Sequence, residues 1–329
     1  MIRHPVATNG MMRHVKSGAK AEAAGGAPPF GTRRRSVGLV FALLLAAGPA
    51  GAQSRPDSPE DLAWLRSVAG DGALAYEGGG ELFLVEISDG RTRPLGQGVA
   101  PKFSPDGSRL AWIRGATAVG RLRRGDGAIH VIRDGVAAQS GIHWISNDEV
   151  VLRLREGGWR RVTLAGAERP VPELDNMGFT GRETDVKRGA DGVWSYVANG
   201  RWATSDGRSG KIPGNCSSSL TPDGRSVGGL QADHLEYRFV AIRPGGATGS
   251  VRWDYSIPRK DKGFDNHQFS SNDARFIVAE DEKHRQPVVL MIGTSRTTRV
   301  GRAPPKEGEV RGDFTVGEGR GPPWPVPAR

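Results

Sequence analysis

An all-β fold, a single β-propeller, is what this sequence predicts. Three observations carry that prediction: a turn motif that recurs along most of the chain, abundant glycine, and no long helical periodicity. The 329 residues include 48 Gly and 22 Pro. That composition suits many short strands joined by tight turns. The recurring turn has an apolar or aromatic position, a Ser or Thr, a turn containing Asp and often Gly, and then an apolar strand. Its clearest copies are Phe103-Ser-Pro-Asp-Gly-Ser-Arg-Leu-Ala-Trp112 and Leu220-Thr-Pro-Asp-Gly-Arg-Ser-Val-Gly-Gly229. Trp144-Ile-Ser-Asn-Asp-Glu-Val-Val-Leu152 and Phe269-Ser-Ser-Asn-Asp-Ala-Arg-Phe-Ile-Val278 are variants with Asn-Asp in the turn. Degenerate copies begin at Ala69 and Gly189.

The turn aspartates are Asp71, Asp106, Asp148, Asp191, Asp223 and Asp273. Their spacing of about forty residues suits four strands per blade. Six turns predict six four-stranded blades, with seven as the alternative count. Pro presets φ, Asp hydrogen-bonds back to the backbone, and Gly takes the positive φ that closes the hairpin. Each such turn is expected to join the innermost strand of a blade to the second. Paired apolar runs such as Leu82–Leu95, Ile129–Val136 and Val288–Val300 supply the next strands. Gly312–Val316 reads as a strand that closes the ring, which would hide the end edges.

The first 52 residues read differently. Arg33-Arg34-Arg35 precede an apolar run from Val37 to Ala47, and Ala50-Gly51-Ala52 is an A-x-A cleavage signature. That order is a secretory signal peptide, with a run too short for a permanent membrane span. The expected organisation is a signal peptide at 1–52 with a long n-region, a linker at 53–64, the propeller at 65–317 and a flexible tail at 318–329. The expected location is the periplasm or the exterior.

The formal net charge is +10. Residues 1–52 hold seven basic residues and one acid, leaving 39 basic and 35 acidic residues beyond them. The exported part is therefore only mildly basic, and no nucleic-acid partner is expected. The lone Cys216 excludes an internal disulfide and is expected to be buried.

Phe103-Ser-Pro-Asp-Gly and its copies resemble the WD-like Pro-Asp repeat of the TolB-like β-propellers. That resemblance covers most of residues 65–302. It implies a rigid exported scaffold and no particular chemistry, since function lives in sites grafted on folds.

Candidate site residues follow from position in the repeat. His143 and His267 stand one or two residues before the repeat aromatics Trp144 and Phe269. That places them at the start of innermost strands, near the channel mouth, as ligand contacts together with Gln268. His267-Gln268 is similar to part of the His/Gln metal cluster of secreted oligogalacturonate lyases. The further closely spaced His pair is absent, so no metal site is assigned. Arg259 and Lys260 lie on an expected loop before the last blade and suit an anionic ligand. Arg121, Arg123 and Arg124 form a second basic loop. Trp112, Trp144 and Trp194 sit at repeat positions and are expected in the core. The letters G-x-S-x-G occur at Gly224–Gly228, inside a repeat turn and its following strand rather than at an elbow, and there is no H-E-x-x-H, C-x-x-C or P-loop motif.

The expected function is therefore non-catalytic: a monomeric exported propeller, without cofactor, that binds a protein or glycan of the cell envelope over one mouth. The alternative is a secreted carbohydrate-active enzyme, an oligosaccharide lyase or hydrolase, working in the central channel.

Overall fold

The computed structural model describes residues 59–124, 127–177, 185–212, 215–231, 237–242, 264–292, 296–304 and 309–317. The chain enters through helix α1 (Pro59–Ala69), where the linker was expected. Glu60 and Asp61 in its first turn and Arg66 in its last complement the helix dipole. Leu65 and Ala69 are buried with Ile87, Val300 and Phe314, and the Arg66 Nε donates to the Ile87 carbonyl at 2.9 Å.

Six antiparallel sheets follow. The first holds β1 (Ala73–Gly78), β2 (Glu81–Glu86) and β3 (Thr92–Gln97). The second holds β4 (Val99–Phe103), β5 (Arg109–Arg114), β6 (Thr117–Leu122) and β7 (His130–Asp134). The third holds β8 (Ile142–Trp144), β9 (Glu149–Arg153), β10 (Trp159–Thr163) and β11 (Glu168–Pro170), followed by the short α2 (Pro172–Asn176). The fourth holds β12 (Asp185–Arg188), β13 (Trp194–Ala198), β14 (Arg201–Thr204) and β15 (Ser209–Lys211). The fifth has β16 (Asn215–Leu220), β17 (Ser226–Gln231) and β18 (Tyr237–Ala241) among the described residues. The sixth holds β19 (Phe264–Phe269), β20 (Phe276–Asp281), β21 (Gln286–Met291) and β22 (Thr297–Arg299). The last strand, β23 (Val310–Thr315), returns to pair with β1 and completes the first sheet in the order β23-β1-β2-β3. Six blades are thus closed by the C-terminal strand.

The turns work as their residues dictate. The Ser104 hydroxyl donates to Asp106 Oδ1 at 2.6 Å, and the Ser108 N–H donates to the same oxygen at 2.9 Å. The Thr221 hydroxyl and the Arg225 N–H repeat both bonds on Asp223, at 2.6 and 3.0 Å. Gly107 has φ +71°, and a Cβ there would run into Thr315 of the closing strand. Only glycine satisfies both conditions.

One copy of the repeat is not a hairpin. Asp71 was expected to join two strands of one blade, but it follows α1, and the strand on its inner side is the far end of the chain. Gly317 donates to the Ala69 carbonyl at 2.9 Å and packs against Asp71. Two chain segments meet where the other blades have a turn.

The core lies between blades. Trp112 and Trp159 are fully buried, and Trp144 and Trp194 nearly so. Trp64 and Trp202 pack on the core from partly buried positions, with the Arg296 guanidinium 5.3 Å above the Trp64 ring. No helix among the described residues is long and apolar enough to cross a membrane. The leader, Arg259, Lys260, the side chain of Cys216 and the C-terminal tail lie outside the described residues.

Candidate functional site

The innermost strands β4, β8, β12, β16, β19 and β23 each lie against the next and form the channel wall. A common level can be read from their pairing. Five of the six innermost strands, all but β23, make their last pair with the second strand at Phe103, Trp144, Arg188, Leu220 or Phe269. One residue earlier stand Lys102, His143, Lys187, Ser219 and Gln268. Lys102 Nζ donates to Gln268 Oε1 at 2.6 Å, joining the second blade to the sixth across the first. A polar ring with two lysines therefore occupies one level of the wall.

Two buried aspartates neutralise it. Asp185, 3% exposed, accepts the Leu220 N–H of the next blade at 3.1 Å and the Val186 N–H at 2.9 Å. Its Oδ1 is 3.3 Å from His143 Nδ1. The other ring nitrogen, Nε2, is 2.9 Å from the Ser140 carbonyl oxygen. Both nitrogens thus face acceptors. Burial raises the Asp185 carboxyl, but Lys187, Lys102 and His143 together hold it well below the usual carboxylate range. Asp313, 1% exposed, accepts the Phe103 N–H through Oδ2 at 2.7 Å. Its Oδ1 is buried without a hydrogen-bond partner. Burial pushes this carboxyl up to about 6, against the pull of Lys102, the Phe103 N–H and Lys187.

The same device recurs where blades five and six, one and two, and six and one meet. Ser219 Oγ accepts the Phe269 N–H at 3.0 Å, and Ser217 Oγ the His267 N–H at 3.3 Å. On the second strands, Glu77 accepts the Ala100 N–H and Glu280 the Val310 N–H, both at 3.0 Å. Burial raises both glutamates, Glu77 to about 7, although Arg311 and Lys102 pull Glu77 down and Arg285 pulls Glu280 down. For Glu77, the folded state holds its proton to higher pH than the unfolded chain. The stability tied to that proton is complete below about 4.5 and lost as the pH rises through about 7. Glu77→Gln keeps an acceptor for Ala100 without the buried charge. It is expected to melt about 5 °C above the parent at pH 8 and level with it at pH 4.5. An identical offset at both pH values in thermal melts would remove the buried charge as the cause.

The sequence-derived residues part company here. His143 and His267 were expected as mouth contacts, yet each is inside a strand and 2% exposed. The backbone irregularity in β19, with Asn266 at φ +52°, separates His267 from Gln268. Gln268 meets Lys102, whereas the His267 ring lies 5.3 Å from the Tyr237 ring between blades five and six. Arg123 is no free loop cation: its Nη2 donates to the Asp71 carbonyl at 2.9 Å, and its Nε lies 3.7 Å from Glu86. Lys102, Lys187, Asp185 and Asp313 were not singled out as site residues. Position one before the repeat residue would have found the two lysines. Asp313 was visible only as part of the closing strand. Among the described residues no group of three or more His, Cys, Asp or Glu is placed to hold a metal ion.

Six antiparallel blades around a polar channel, closed by the C-terminal strand, define a β-propeller. Its solved likenesses include TolB from Acinetobacter baumannii, with 14% identity and TM-score 0.51 over 76% of this chain and 68% of that one. A chain of a nidogen/laminin complex has 9% identity and TM-score 0.53 over 74% of this chain and 98% of that one. These identities speak for the fold alone. No family model and no curated protein matches the chain in sequence.

Proposed function

We propose that this is an exported, non-catalytic propeller of the TolB-like kind that binds a protein or glycan of the cell envelope over one mouth, in the periplasm or outside the cell. The observation that carries this reading is the use made of the inner wall. Asp185, Asp313, Ser217 and Ser219 each accept a backbone N–H from the next blade. The wall's polar groups thus hold the ring together, and the loops of the rim are left for recognition, as is usual for loops on a rigid scaffold. The leader supports export, and the Pro-Asp repeats support the TolB-like kinship. Immobilised protein is expected to retain one envelope protein or glycan specifically from a solubilised envelope extract of the source organism. A folded sample that retains nothing specific would count against this reading.

A second reading, a carbohydrate-active enzyme with its site in the channel, is favoured by one observation. Asp185 and Asp313 share a channel, with one carboxyl held low and the other raised to about 6. Such a split suits a base and an acid. Cleavage of an oligosaccharide that Asp313→Asn abolishes without loss of fold would establish it. Equal cleavage by that variant would remove Asp313 from the chemistry.

A further inference from the structure

We propose that the channel level bearing Lys102, Lys187 and Asp313 binds a small hydroxylated carboxylate, with its carboxylate on the two ammonium groups and a hydroxyl on Asp313 Oδ1. The site would exist whether or not the rim takes a macromolecular partner.

The argument is one of unmet hydrogen-bonding capacity. An ammonium group has three donors. Lys102 is 8% exposed and places one donor on Gln268. Lys187 is partly exposed; its ammonium group acts on Asp185 by charge alone, with no hydrogen bond or close ion pair among the described residues. The anionic groups near them are held elsewhere. Asp185 binds the Leu220 and Val186 N–H groups and faces His143, and Asp313 Oδ2 binds the Phe103 N–H. What remains is two cations with donors to place and one buried carboxylate oxygen, Asp313 Oδ1, with an acceptor to fill. An unmet buried acceptor costs about 1–3 kcal/mol, so a donor brought to it is rewarded.

Charge selects the ligand class. Lys102 and Lys187 both act on Asp185 and on Asp313, and Asp185 acts on Asp313, so the four charges are coupled along the inner wall. Two lysines face the carboxyls of Asp185 and Asp313, a near-balanced set that favours a monoanion over a phosphate dianion. The hydroxyl answers the free Asp313 oxygen, which a plain carboxylate cannot do. Lys102 and Asp313 are buried in the inner wall, where a folded surface cannot reach.

The test is calorimetric titration of the full chain with D-gluconate, with acetate and sorbitol as probes for the carboxylate alone and the hydroxyls alone. Saturable gluconate binding is expected, tighter than either control by about tenfold or more. Lys187→Met should weaken it by about tenfold, while Lys187→Arg, which keeps the positive charge that acts on Asp185, should keep both the fold and most of the binding. Asp313→Asn keeps an acceptor for Phe103 but should reduce the preference for gluconate over acetate. Failure to bind gluconate at about 50 mM, binding unchanged in Lys187→Met, or equal binding of acetate or sorbitol would each overturn the proposal. The result is separate from retention of an envelope partner, since either can fail while the other stands.

Discussion

A chain that ends at Pro304 is expected to lose cooperative folding altogether. It lacks β23, whose Val310 and Phe314 are buried beside α1 and the first and sixth blades. Burial of each such side chain contributes about 1.5–3 kcal/mol. The deletion also removes the whole ladder from Ala73↔Thr315 to Gly78↔Val310. Bonds to the sixth blade go with it, among them Ser271 N–H to the Phe314 carbonyl at 2.9 Å, Asn272 to both the carbonyl and the N–H of Val316 at 3.0 Å, and Val310 N–H to Glu280 at 3.0 Å. The sum is of the same order as the 5–15 kcal/mol by which domains are stable, and β1 is left as an open edge prone to aggregation. Circular dichroism melts should show a sharp transition for the parent and none for the truncated chain. A truncated chain that melted as the parent does would mean that closure contributes nothing.

Asp185→Ala is the point substitution with the largest expected effect. It leaves the Leu220 N–H without its acceptor, the buried His143 ring without its acid and the two lysines without their nearest neutralising charge. Breaking a buried ionic pair from one side costs about 3–5 kcal/mol, a fall in Tm of about 6–15 °C in a chain of this size. The pH dependence follows from a carboxyl held below its ordinary value of 3.8. Its contribution is present above that value and is lost as pH falls through the lower folded value. The gap between variant and parent should therefore hold from neutrality down to about pH 5 and close only in strong acid. Asp185→Asn, which keeps an acceptor for Leu220, should fall between the two. If Asp185→Ala melts with the parent at pH 7, the aspartate is not holding blades four and five together.

The blades were legible because turn chemistry is local. Ser104-Pro105-Asp106-Gly107 specifies its own hairpin, and its copies count the blades. The closing strand was legible from the apolar pattern of Gly312–Val316. Asp71 misled for the same reason: its neighbours look like a turn, but what completes its blade is a strand from the other end of the chain. Helix α1 was overlooked because only 11 residues form it. Its stability comes from packing Leu65 and Ala69 into the core rather than from length. The channel ring was hidden because Lys102, His143, Lys187, Ser219 and Gln268 share a level without sharing a chemistry. Only the pairing register aligns them. The different surroundings of His267 and Gln268 rest on a local break in β19 register that no composition or period reports.

Everything proposed for the channel depends on the ring being closed by residues 310–315. Hydrogen exchange read amide by amide along that strand tests it most directly. The amides of β23 that bond β1 should exchange as slowly as those at the centres of β5 and β20, in the same global unfolding event. Exchange of β23 at the rate of a free terminus, with β5 and β20 still protected, would contradict closure and remove the channel level built on it.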